Sequence, residues 1–133
     1  MDQFIGIDVH TTSCSIARVN EQGRILGKSV ISTSPTELVQ AIQAIPRPRH
    51  ICIEEGNLSG SVHEVLEPHS DSFTVTMVED RKQSRSKDDD RDALDLANRL
   101  RTGTVKPVLW SPESLADFVR KLWRVGNVTR DAA

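Results

Sequence analysis

The chain has 133 residues, 37% of them hydrophobic and 27% charged, with 17 Lys+Arg against 19 Asp+Glu. That length suits one domain able to bury a core without disulfides. The formal net charge of −2 excludes both a polycation that coats nucleic acid and an acidic disordered tail. The charges are nonetheless uneven: 15 of the 36 fall between Glu79 and Lys106. Two cysteines, Cys14 and Cys52, are too few for a disulfide framework; they read as small buried hydrophobes and fit a reducing, cytoplasmic compartment. The N-terminus lacks a signal-peptide pattern, and no apolar run approaches the roughly 20 residues of a membrane span, so no membrane partner is expected.

Phe4-Ile5-Gly6-Ile7-Asp8-Val9 is an apolar run holding one carboxylate and reads as a buried strand. Ser13 to Val19 is a second strand, Asn20-Glu21-Gln22-Gly23 a turn, and Arg24 to Ser32 a third strand. Short polar turns make these an antiparallel meander. Ser34-Pro35-Thr36-Glu37 opens a helix, with an N-cap serine, proline at the first helical position and glutamate at the third. Arg49 to Glu54 is a fourth strand, Ser59 to Glu67 a helix with Val62, Val65 and Leu66 inward, and Phe73 to Val78 a fifth strand. A helix spans Asp89 to Arg101 and stops at Gly103. Pro107 to Trp110 is extended, and Ser111-Pro112-Glu113 opens a last helix. The order predicts an α/β fold: a mixed five-stranded sheet, three strands of meander then alternating helices and strands, flanked by helices.

Three places in this order put carboxylates where a site would form. Asp8 lies inside an apolar strand, where an ionised group is costly unless paired or bound to a metal; the alternative is an aspartate capping a turn. Glu54 stands at the carboxyl end of a strand, the end at which open α/β sheets build sites. Glu55 follows it directly, and Glu54 is preferred because it is nearer the apolar run. In the helix from Asp89, Ala93, Leu96, Ala97 and Leu100 form an apolar stripe. At about 100° per residue, Asp89 lies roughly 30° and Asp92 roughly 90° from the centre of that stripe, whereas Asp88 and Asp95 point away. First-turn acids also favour the helix dipole, which accounts for Asp88 and Asp90 better than for an inward Asp89. Four carboxylates from two strands and a helix suit Mg²⁺ or Mn²⁺, hard cations that prefer oxygen ligands and serve phosphodiester chemistry.

The strand Gly6-Ile7-Asp8-Val9-His10, the strand ending in Glu54 and the Lys87-x-Asp89-x-x-Asp92-Ala93 helix start resemble the DEDD transposases of insertion sequences, a family that includes the pilin gene invertase. The resemblance covers roughly Phe4 to Val125. It implies a RuvC-like, ribonuclease-H-like catalytic domain over residues 1–110 and the start of a connecting or coiled-coil helix over residues 111–133. Asp8, Glu54, Asp89 and Asp92 are similar to the family's four catalytic, metal-binding acids. The implied activity is Mg²⁺- or Mn²⁺-dependent cleavage and exchange of DNA strands during transposition. The implied partners are DNA, a structured guide RNA and further copies of the chain, as dimer or tetramer through the C-terminal helix. The family often shows Ala-Thr-Gly after its glutamate, whereas this chain has Glu55-Gly56-Asn57. The family also continues into a serine-bearing second domain that is absent from this chain, so recombination by these 133 residues alone is not expected.

Arg81, Lys82, Arg85 and Lys87 precede the acidic helix, and Arg91, Arg99, Arg101 and Lys106 follow its start. Bases beside metal-binding acids suit a nucleic-acid site; a solvated, salt-bridged face is the other reading. Leu115, Phe118, Leu122 and Val125 recur as a coiled-coil seam does, and Trp110 and Trp123 are expected at core or interface. Two other functions fit parts of the pattern. Asp8 to Ser13 resembles the phosphate-binding hairpin of sugar-kinase and actin-like ATPases, although His10 stands where those need glycine. A ribonuclease-H-like module that binds nucleic acid without cleaving it is the third.

Overall fold

A computed structural model describes residues 1–78 and 89–108, with Asp89 and Asp90 described by their backbone. Trp110 and the expected C-terminal helix with its seam and Trp123 lie outside the described residues. So do Arg81, Lys82, Arg85 and Lys87.

The chain runs β1 (Gln3–Val9), β2 (Ser13–Val19), β3 (Ile25–Ser32), α1 (Pro35–Gln43), β4 (Arg49–Glu54), α2 (Ser59–Leu66), a 3₁₀ turn (Glu67–His69), β5 (Ser72–Thr76) and α3 (Asp89–Thr102). The strands form one sheet in the order β3-β2-β1-β4-β5. β1, β2 and β3 pair antiparallel, as the short turns require, and β1–β4 and β4–β5 pair parallel, as the helical crossovers require. Gly23, at φ 87°, closes the β2–β3 turn where a side chain would be strained. At α1, Ser34 accepts the Glu37 N–H at 3.2 Å. The Glu37 carboxylate reaches past the cap to accept the Ser32 N–H at 3.0 Å. β5 ends two residues earlier than its apolar run predicts. Thr76 pairs with Glu54, the last residue of β4, so Met77 and Val78 have no ladder partner on β4 and are exposed.

Strand alternation gives the sheet two different faces. Ile5, Ile7, Ile16, Ile51, Ile53 and Val75 turn to one side and pack with Leu38 and Ile42 of α1 and Val62 and Leu66 of α2 in one core cluster. Phe4, Gly6, Asp8, Cys52 and Glu54 turn to the other, where α3 lies across β1, β2 and β4. There the layer is thin. A Cβ at Gly6 would fall against the Ala93 carbonyl oxygen, 2.6 Å from the Ala97 nitrogen and 2.8 Å from the Leu96 Cβ. Ala93, Leu96 and Ala97 are buried as the stripe predicts.

At its far end α3 closes on Gly103, φ 75°. The Gly103 N–H bonds the Leu100 carbonyl at 3.2 Å and the Thr104 N–H bonds that of Arg99 at 2.9 Å, the pattern of a Schellman cap. The chain then returns to the sheet edge, where Pro107 bridges Thr76 and the Val108 N–H reaches the Val75 carbonyl at 2.7 Å.

Two outcomes are expected from this packing. Gly6→Ala should destabilise the fold by more than about 3 kcal/mol, because the new methyl meets helix backbone that cannot rotate away. Urea unfolding with an unchanged slope checks it. Both cysteines are buried and unbridged. Burial pushes the Cys52 thiol up to about 12, with Arg99 pulling it down and Glu54 pushing it further up. The folded chain therefore holds this proton when the unfolded chain, at an ordinary value near 9.0, has released it. Stability drawn from Cys52 is complete below about pH 9 and declines as pH rises toward 12. Iodoacetamide at pH 8 should leave both thiols unmodified until the protein is unfolded, by mass spectrometry.

Candidate functional site

Asp8 and Glu54 come together because their strands are neighbours and run the same way. β1 and β4 pair in parallel with Ile7 opposite Ile53. One residue further on, Asp8 and Glu54 leave adjacent strands at their carboxyl ends, on the face opposite the isoleucine core. Both line a pocket of about 260 Å³ with Val9, His10, Glu55 and Asn57. The Asp8 side chain is 14% exposed and that of Glu54 21%. Glu55 is exposed, so the half-buried partner of Asp8 is Glu54.

The pocket wall beside Asp8 is braced by the β1–β2 loop. The His10 N–H bonds the Ser13 carbonyl at 2.9 Å and Thr33 Oγ1 donates to the His10 carbonyl at 2.6 Å. This fixes His10 so that its Nε2 lies 3.0 Å from Asp8 Oδ2, an imidazole N–H offered to a carboxylate.

The direction of α3 follows from two contacts. Its Ala93–Ala97 segment covers Gly6, and Arg101 reaches Gly23 in the β2–β3 turn, at the opposite end of the sheet from Asp8. The helix therefore runs antiparallel to β1, and its first turn, with Asp89 and Asp92, lies toward the Asp8 end. Asp92 is half-buried, and the side chain of Asp89 lies outside what the structure describes. Among the described residues, no three His, Cys, Asp or Glu side chains stand close enough together to hold a metal ion. The donor pair Asp8–Glu54 nevertheless fits Mg²⁺, which binds through one or two carboxylates and keeps waters and phosphate oxygens as its other ligands.

The basic residues divide. Arg91 is exposed on the first turn of α3. Arg101 donates to Asn98 Oδ1 at 3.1 Å, far from the pocket. Arg99 is not phosphate-facing: its side chain is 8% exposed, with Nη2 3.6 Å from Glu54 Oε2 and Nε 3.4 Å from Asp95 Oδ2. Asp95, 42% exposed, points outward as predicted yet holds the arginine from below. Sequence reasoning passed over this arrangement, whose one available signal was an Asp and an Arg four residues apart on a helix. It also used His10 only as part of a motif, although a histidine two residues past a strand carboxylate shares its end of the sheet.

No protein-family model matches the chain, and no curated protein does. Solved structures do. RuvC of Thermus thermophilus in complex with Holliday junction substrate superposes with a TM-score of 0.57 at 16% identity, covering 81% of this chain and 100% of that one. A second Thermus thermophilus RuvC structure gives 0.56 at 18% identity, covering 80% and 99%. The sheet order, the mixed pairing and the helix across β1 are thus those of the RuvC-like, ribonuclease-H-like fold.

Proposed function

We propose that this chain is the catalytic RuvC-like domain of a DEDD transposase, a nuclease that cleaves DNA strands with Mg²⁺ or Mn²⁺. The observation that carries the reading is that Asp8 and Glu54 stand at the carboxyl ends of adjacent parallel strands and line one pocket; the direction of α3, whose first turn lies toward the same end of the sheet, supports adding Asp89 and Asp92 to them. In this reading Asp8, Glu54, Asp89 and Asp92 hold the metal. When bound, the ion supplies stabilisation of the charge that develops on the attacking and leaving oxygens of a phosphodiester. The chain's own residues do the rest. His10 orients Asp8 through its 3.0 Å contact. Arg91, with Arg81, Lys82, Arg85 and Lys87, takes the phosphate backbone and sets its register without reading sequence. Transposition itself, a guide RNA, assembly as dimer or tetramer through residues 111–133, and completion by a serine-bearing second domain are the finer parts of the same proposal.

The test is cleavage of a labelled four-way DNA junction, and of linear duplex, by the purified chain with and without Mg²⁺ or Mn²⁺. Divalent-dependent cleavage is expected, falling more than about 100-fold in Asp8→Asn and Glu54→Gln, with junction binding retained in both. Cleavage that survives Asp8→Asn, or that needs no divalent ion, overturns the reading. Binding without any cleavage replaces it with the non-catalytic module.

A further inference from the structure

A buried arginine asks for an explanation, because a guanidinium does not shed its proton in a protein and its burial is costly unless the charge is matched. Arg99 sits in the last third of α3, and helical side chains lean toward the N-terminus. Its guanidinium is thereby carried up the helix to the end of β4, between Asp95 on its own helix and Glu54 on the sheet, at 3.4 and 3.6 Å. Asp95 is half-buried, with its side chain 42% exposed. Glu54 lines the pocket and Arg99 does not, so the fixed positive charge reaches the candidate site through its contact with Glu54.

Charge arithmetic says what such a cation does. Asp8 and Glu54 together carry two negative charges, and a bound divalent ion would bring the pair to zero. Arg99, whose charge Asp95 shares, adds one positive charge beside these acids, and so lowers both their pull on a divalent ion and their repulsion of a phosphodiester. We propose that Arg99 is a positioning residue that holds Glu54 against α3 and offsets its charge, so that the site takes a divalent ion weakly by itself and more firmly together with a DNA phosphate. The proposal rests on the metal-dependent reading above and deepens it by coupling ion and DNA binding.

Calorimetric titration of Mn²⁺ into the wild-type chain and its Arg99 variants tests it, with and without a short duplex oligonucleotide. Arg99→Met is expected to fold, since Asp95 and Glu54 can both be rehydrated where they stand. Arg99→Gln keeps length and hydrogen-bond donors and carries the same expectation. Both should bind Mn²⁺ without DNA roughly tenfold more tightly than wild type, the scale of a unit charge removed from nearby at a protein surface. In both, DNA should strengthen Mn²⁺ binding less than it does in wild type. Arg99→Lys, which keeps the charge, should stay within about threefold of wild type. A merely structural role would loosen the site and weaken Mn²⁺ binding instead. Unchanged or weakened binding in the folded Met and Gln variants overturns the role given to Arg99. Absence of Mn²⁺ binding in wild type and in every variant overturns the metal-dependent reading itself, a distinguishable result.

Discussion

Helix α3 meets the sheet at Gly6 backbone to backbone, and the candidate site is laid out from that contact. With no side chain at Gly6, the helix settles until Ala93 and Ala97 rest on β1. The same strand carries Asp8 two residues on, so the closeness of helix and sheet at Gly6 sets the closeness of α3 to the acids. Ala17, the β2 partner of Gly6, is small for the same reason. On the other face the isoleucines of β1 and β4 meet larger side chains from α1 and α2. The thin layer and the thick layer do different work: one anchors the sheet, the other brings a charged helix down onto it.

That closeness has an electrostatic cost, since like charges gathered at one end of a sheet repel. The structure answers with nitrogen groups that belong to the fold. His10 meets Asp8, and Arg99 meets Glu54. Each acid of the central pair thus has a nitrogen partner before any ligand arrives. The two partners differ in kind. His10 is 47% exposed and sits on a loop, whereas Arg99 is buried under the helix and cannot leave without disturbing it. The Cys52 thiol, buried beside Arg99 and Glu54, stays protonated and adds no charge to this balance.

Much of the fold was legible because its signals are local. β2 and β4 run over the residues their apolar patterns mark, and α1 begins at the Ser34-Pro35 signature. Gly103 ends α3 as a left-handed cap. That Asp8 and Glu54 each stand at a strand end was legible; that β1 and β4 are parallel neighbours, which puts both acids at one end of the sheet, comes from the strand pairing. The fate of Arg99 was not. Composition places it in a basic run, but burial depends on which strand lies under that side of the helix, and this is decided by the crossover from β3 through α1 to β4, far away in sequence. The early end of β5 was hidden for a similar reason: Met77 and Val78 continue the apolar pattern, while the strand that would pair with them has already stopped at Glu54.

The spacing between Gly6 and Asp8 also sets how this sequence can change over time. Loss or gain of one residue between them would exchange the faces of everything downstream in β1, sending the carboxylate into the isoleucine layer and an apolar side chain toward the pocket. The turn at Asn20–Gly23 lies at the other end of the sheet and can absorb length changes without moving either acid. Lineages descended from this chain should therefore vary in that turn and keep the two-residue interval intact, even where the identities around it drift.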